Sequence, residues 1–463
     1  MITLTVLAQA KPPSLPGDQV LAFVLLDIAI ILVAARLVGA LFVRLKQPRV
    51  VGEIVAGVLL GPSLLGPKVF SWDNPWGVLA CDRSLAAGAA GPSITDCLFP
   101  VQARSVLGIL GQIGLLLFMF LVGLELDLSK LKGRIRAVVA VGVGVVVVPV
   151  LAGFPVGAVL FGEVFTGNFA DPARRPSEIA FILMIAAMLS VTAFPVAARI
   201  LQEKGLTETR MATTALAVAA VVTTLMFLLL GVARGVAREQ AASSHALRLL
   251  GLVVLLVVAF AVVRPLLARF SGGLANGAPL GQTQFVVFVA VAIAFGYAAD
   301  RIGVNVILGG FIAGTVMPAR PQLLPQLRSR LSDIVIAVFL PIFLAVSGLQ
   351  TDMTKLTGSA FVGLALFLVA GVVAKWGGGL LFGRLGGLSW GEGNVIGVLM
   401  NCRGLLVLVV ALEGLNSGVL TPVMQVGGVL MALITTAMTG PLVDWALRRA
   451  GPGLTPSGTS AGV

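Results

Sequence analysis

Two basic residues stand inside long apolar stretches. Lys375 sits in VVAKWGGG, and Arg403 sits at the centre of GVLMNCRGLLVLV. Ionisable groups at bilayer depth are costly, and those that persist mark ion paths and proton relays. Two acids share that status: Asp27 in the first apolar stretch, and Glu53 near one end of the second. Lys375, Asp27 and Glu53 are therefore the candidate proton carriers. Arg36 lies nine residues after Asp27, which at 100° per residue puts the two on opposite helix faces. The competing accounts are structural: an interfacial position for Glu53, and ties from Lys375 and Arg403 to backbone carbonyls.

Polar and helix-breaking residues interrupt two further stretches. SVTAFPVAARIL carries Ser190, Thr192 and Pro195, and the second stretch carries Asn401, Cys402, Arg403 and Gly404. Proline removes a helical hydrogen bond, and glycine and asparagine tolerate unwinding. Broken helices present their ends to an ion at the bilayer midplane.

The elements that must hold these residues are membrane helices. Of 463 residues, 58% are hydrophobic and 11% are charged, against roughly 25% charged in a soluble domain. Mean hydropathy is +1.05. These values exclude both disorder and an ordinary soluble fold. The 56 glycines suit close helix approach in lipid. One His and 3 Cys leave no basis for a metal centre, and with scattered acids they supply no nucleophile–base pair, so an enzyme is not expected. No phosphate-binding GxxxxGK[ST] loop occurs, so a gradient must drive any uphill transport. No cofactor is called for. The net charge of +12 is assigned to basic loops rather than to nucleic acid.

Apolar runs long enough to span predict an all-α polytopic protein with about 13 transmembrane helices. They fall near 19–42, 50–65, 101–125, 135–161, 178–201, 211–233, 247–270, 282–299, 303–318, 332–350, 359–383, 393–412 and 422–446, the second and ninth being short. Residues 1–18 form an N-terminal segment and 447–463 a flexible tail. With the N-terminus outside, 18 of the 32 Lys and Arg residues fall in inside loops and 11 outside, which predicts a cytoplasmic C-terminus in a plasma membrane. Loop 66–100 then lies outside, where Cys81 and Cys97 are as readily free thiols as a disulfide.

An internal repeat organises the series. FMFLVGLELDLSKL at 118–131 returns as FLAVSGLQTDMTKL at 343–356, VVTTLM at 221–226 as LITTAM at 433–438, and AG at 56–57 as AG at 313–314. All three matches share an offset of seven helices. An odd offset makes the repeats, about 19–233 and 282–446, enter the membrane in opposite directions, with 247–270 as a linker helix. Inverted repeats are a signature of secondary transporters.

GEIVAGVLLGPSLLG at 52–66, FLVGLELDL at 120–128, SVTAFPVAARIL and GVLMNCRGLLVLVV at 397–410 resemble motifs of the cation:proton antiporters. The branch is that of the plant cation/proton exchangers and the glutathione-gated potassium efflux proteins. The resemblance runs from about 19 to 446. It implies 13 helices in inverted six-helix repeats, crossed broken helices, and a core that moves against a scaffold. It also implies exchange of Na⁺ or K⁺ for H⁺ in a lipid bilayer, and leaves room for a homodimer. Carried over residue by residue, it puts the intramembrane lysine on Lys375, the crossover arginine on Arg403 and the crossover polar residues on Thr192 and Asn401.

One departure bears on the chemistry. Where the family carries one or two adjacent carboxylates, the sequence reads ALAVAAVVTTLMF, with Val222 and Thr223 at those positions. A carboxylate takes either a proton or a cation, and that competition couples the two. A threonine hydroxyl does not titrate. Three outcomes stay open: Lys375 carries the proton, Asp27 or Glu53 approaches, or coupling is lost. The expected ion path runs among Thr192, Thr223, Thr224, Asn401, Lys375 and Arg403. The alternatives to antiport are an uncoupled, anionic or organic solute carrier on the same fold, or a non-transporting sensor or partner protein.

Overall fold

In the computed structural model, residues 16–450 are described except 46, 66–93, 126–133, 165–175, 207–208, 238–241, 273–278, 319, 321–322 and 357. Cys81 and the Asp127–Leu131 part of the repeat lie outside the described residues. Every regular element among the described residues is helical. Within hydrocarbon a helix satisfies its own backbone groups, so apolar runs of this length fold no other way.

The first half comprises α1 (Gly17–Arg44), α2 (Arg49–Leu60), the short α3 (Pro62–Leu65) and α4 (Ile94–Leu98), α5 (Val101–Leu124), α6 (Ile135–Val159), α7 (Glu178–Ser190), α8 (Phe194–Glu203) and α9 (Arg210–Ala237). A rod made of α10 (Ala242–Val258) and α11 (Arg264–Phe270) follows. The second half comprises α12 (Gln282–Ile302), α13 (Val306–Thr315), α14 (Leu323–Ile334) running through a wide turn into α15 (Leu340–Leu349), α16 (Gly358–Leu385), α17 (Trp390–Leu399), α18 (Gly404–Asn416) and α19 (Pro422–Ala450).

The expected count of 13 spans is not reproduced as 13 long helices. Among the described residues, 9 helices are long and apolar enough to cross a membrane, and the bent pair α17–α18 makes 10. The other three expected spans contain α2, α7 and α13, of 12, 13 and 10 residues. At 1.5 Å per residue these reach about 15–20 Å, short of a hydrocarbon core of about 30 Å. Each is cut short by local chemistry: Gly61–Pro62 after α2, the Val191–Ala193 break after α7, and the turn leading to Pro318 after α13.

Helix neighbours recur at the offset read from the repeat. α1 packs on α2 as α12 packs on α13, α2 on α15 as α13 on α5, and α1 on α15 as α12 on α5. In the same way α6 packs on α7 as α16 on α17, α7 on α9 as α17 on α19, and α6 crosses its counterpart α16. The repeated glycines are the contact points. A Cβ on Gly348 would stand 2.7 Å from Gly57 Cα, and one on Gly314 would stand 2.8 Å from Gly123 Cα. Those four are the glycines that the AG and FLVGLELDL repeats match. The helices therefore form two groups. A flanking group holds α1, α2, α5, α12, α13 and α15, and a crossover group holds α6–α9 and α16–α19.

Candidate functional site

The two interrupted helices meet at their breaks. α7 ends at Ser190, Val191 turns to an extended conformation (φ −57°, ψ 140°), and α8 starts after Ala193 with Pro195 in its first turn. There proline's missing N–H costs nothing, because the first helical N–H groups have no intrahelical acceptor. α17 and α18 bend by 49° about Met400–Arg403. Gly404 opens α18 with φ +44°, and a Cβ there would press on Val196 at 3.0 Å and Ala193 at 3.2 Å. The breaks are stitched together: Ala193 N–H donates to Cys402 O (2.7 Å), and Thr192 Oγ1 donates to Met400 O (3.1 Å).

A helix that stops in a bilayer leaves its last four carbonyls without partners. At the end of α7 all four find one. Ser190 Oγ donates to Ala187 O (3.1 Å). Arg403 Nη1 donates to Met188 O (2.7 Å) and Leu189 O (2.6 Å), and its Nη2 to Gly371 O on α16 (2.5 Å). Lys375 Nζ donates to Ser190 O. Both cations are fully buried. Among the described residues no carboxylate bonds to either, and the charged group bearing on Lys375 is Arg403. The negative end of the α7 dipole is what faces them.

The expected site residues divide accordingly. Thr192, Asn401, Lys375 and Arg403 come together at the crossover. Thr223 is buried there too, its hydroxyl donating to Ala219 O (2.8 Å) and lying 3.4 Å from Thr192 O. Asn401 Nδ2 donates to Gly397 O (3.3 Å), while its Oδ1 is buried with no partner. The side chains of Thr224 and Pro195 lie outside the described residues. Asp27 and Glu53 stand apart, in the flanking group. Asp27 is buried on α1, which packs on α5 and α15. Glu53 is on α2, facing the charges of Arg36, Arg49 and Arg199. Neither takes the place of the absent carboxylate pair.

Thr436 was not singled out for the site, although the TT repeat pairs it with Thr224. Its hydroxyl accepts the Gly404 N–H (3.2 Å), capping α18. A cavity of about 540 Å³, lined by Gln47, Arg199, Lys204, Asp444 and Thr436 among others, runs from the end of the bundle where α1 ends to this cap. Lys204 and Asp444 form an ion pair on its wall. At the opposite end, where α1 begins, two smaller cavities of about 420 and 230 Å³ share Gln112, Phe343, Leu412 and Asn416. Both ends thus open between the flanking and crossover groups.

The transmembrane domain of sodium/hydrogen exchangers matches residues 30–449. The chain belongs to the sodium/hydrogen exchanger family. Within it, the chain is 34% identical over 424 residues to the Na(+)/H(+) antiporter NhaS4 of a Synechocystis strain, covering 91% of this chain and 97% of that one. It is 29% identical over 458 residues to the K(+)/H(+) antiporter 1 of Saccharomyces cerevisiae, covering 95% of this chain and 48% of that one. The chain therefore spans nearly all of one relative and about half of the other. Its fold is shared with the sodium proton antiporter MjNhaP1 of Methanocaldococcus jannaschii, at a TM-score of 0.61 and 17% identity over 94% of this chain and 99% of that one. As an exchanger-family chain, this is a multi-pass membrane protein.

Proposed function

We propose that this chain exchanges a monovalent cation, Na⁺ or K⁺, for a proton, and that Lys375 holds the proton. The observation that carries the proposal is the bond from Lys375 Nζ to the Ser190 carbonyl at the end of α7. Carbonyls at a half-helix C-terminus are cation ligands. A protonated lysine and a metal cation compete for the same oxygen, which is the competition that a carboxylate provides elsewhere in the family. With Lys375 charged, two cations occupy the crossover. A further unit charge 4 Å from one of them is repelled by about 4 kcal/mol at an effective dielectric of 20. With Lys375 neutral, the Ser190 carbonyl and the unbonded Asn401 Oδ1 are free to face a cation. The names of the relatives, Na(+)/H(+) and K(+)/H(+) antiporters, support this choice of substrates. We place the protein in the plasma membrane with its N-terminus outside, as the loop charges favour.

A second reading has its own observation. Two buried basic groups, to which no carboxylate among the described residues bonds, suit an anionic or organic solute. Proteoliposomes holding a pH dye separate the two. Alkalinisation or acidification driven by Na⁺, K⁺ or Li⁺ gradients supports antiport, and a response only to anion gradients supports the second reading. Thr223→Asp, alone or with Val222→Asp, restores an acid beside the break and is expected to increase cation-driven exchange.

A further inference from the structure

Asp27 has no part in the exchange just described. It is fully buried on α1, on the same helix face as Val24 and Ile31, which pack in an apolar cluster with Phe99, Leu107, Ile342 and Val346. Neither carboxylate oxygen has a hydrogen-bond partner. An ionised carboxylate stripped of both water and donors is strongly disfavoured, and a carboxyl group that keeps its proton is not. The charges around it are few. α1 packs on α2, α5 and α15. α15 carries no charged residue, α5 carries Arg104 alone, and Arg49 and Glu53 lie toward the opposite end of α2. On α1 itself, Asp18 and Arg36 are each nine residues away, on the other face. Arg104 is the charge that bears on Asp27.

Arg104 also faces water. Its Nη2 donates to Thr95 O (3.2 Å), and the residue lines the 420 Å³ cavity at the end of the bundle where α1 begins, with Ser105, Gln112, Gln350 and Asn416. The adjoining 230 Å³ cavity holds Asp300 and Glu413. Together these form a vestibule between the flanking and crossover groups.

We infer that Asp27 is a second proton-binding site, outside the crossover, whose proton sets the charge of this vestibule through Arg104. With the proton on, Asp27 is neutral and matches its apolar surroundings. With the proton off, it offers Arg104 an anion, and the net charge beside the vestibule falls by one. A cation entering past Asp300 and Glu413 then meets less repulsion. Acid on that face thus weakens cation entry without consuming the proton exchanged at Lys375. This last consequence rests on the antiport proposal, whereas the proton site does not.

The test is labelling of the full-length protein in liposomes with dicyclohexylcarbodiimide between about pH 5 and about pH 9. The reagent adds a carboxyl O–H across its C=N bond, the proton passing to nitrogen and the oxygen to carbon, so it requires a protonated acid in apolar surroundings. Mass spectrometry of the Asp27 peptide should show a label that falls about tenfold per pH unit above its midpoint, as a single titration requires. Arg104→Gln should extend the labelling to higher pH. Absence of label, or equal label at every pH, overturns the site, and an Arg104→Gln profile identical to wild type overturns the role of Arg104. In transport, Asp27→Asn should hold the apparent cation affinity at its acid-side value across the pH range. An affinity that still follows pH as in wild type overturns the vestibule effect. Absent exchange with pH-dependent labelling would remove the antiport proposal and leave the proton site standing.

Discussion

The two half-helices that end at the crossover, α7 and α17, are finished in different ways. The last carbonyls of α7 are held by a guanidinium, an ammonium and one hydroxyl. Those of α17 are held by neutral groups from the turn that follows: Met400 N–H on Ile396 O, Asn401 Nδ2 on Gly397 O, Asn401 N–H on Val398 O and Cys402 N–H on Leu399 O. The repeat makes the two breaks geometric counterparts, and the side chains make them chemically unequal. A neutral cap only completes a helix. A charged cap at a helix C-terminus also interacts with the dipole, by up to about 2 kcal/mol in buried geometry, and an ammonium cap can release its proton. Under the antiport proposal, the exchangeable charge sits at only one of the two matched breaks, the end of α7.

The largest expected break in this comparison is at Arg403. Arg403→Met removes donors from three buried carbonyls and should lower stability by about 3–5 kcal/mol, the range for breaking a buried charged network. Asn401→Leu, in the break that joins α17 to α18, should cost about 1 kcal/mol. Thermal unfolding in detergent reads both, and equal losses would mean that the two ends are not unequal after all. Next come the glycine crossings. Gly348→Ala and Gly314→Ala each push a methyl to within 2.7–2.8 Å of a facing Cα. Each should cost about 1–3 kcal/mol by overpacking, with closely similar values. A severe loss in one and none in the other would argue against inverted repeats that superpose over 50–233 and 303–446. The smallest effects belong to the hydroxyl caps. Thr192→Val and Thr436→Val each remove one partner of a buried backbone group and should cost about 1 kcal/mol.

Much of the crossover was legible in the sequence because polar residues are conspicuous in apolar runs. Lys375, Arg403, Thr192 and Asn401 stood out for that reason, and the structure brings them together. The repeated glycines were legible as repeat matches, but that Gly57 meets Gly348 and Gly123 meets Gly314 was not, because a repeat says which residues correspond and not which ones touch. The competing account, that Lys375 and Arg403 are tied to backbone carbonyls, is what the structure shows, but which carbonyls was not legible. Met188, Leu189 and Gly371 take part through backbone carbonyls, which every residue has and no side chain announces. Thr436 left a trace in the TT repeat, but a hydroxyl cap on Gly404 depends on how α18 starts, which composition does not convey. Asp27 and Glu53 met the test of an acid in an apolar run, yet that test is blind to which helix group holds the residue. The length of three expected spans was not legible: α2, α7 and α13 end early because hydropathy reads through a short break that the backbone does not.

The central claim is that a proton on Lys375 and a cation contend for the Ser190 carbonyl. Cation-driven proton flux in proteoliposomes should be compared for the wild type, Lys375→Ala and Lys375→Arg over a range of pH. The account predicts pH-dependent exchange in the wild type, none in Lys375→Ala, and none in Lys375→Arg, whose charge is permanent. Robust Na⁺- or K⁺-driven exchange that survives Lys375→Ala with its pH dependence intact would contradict it.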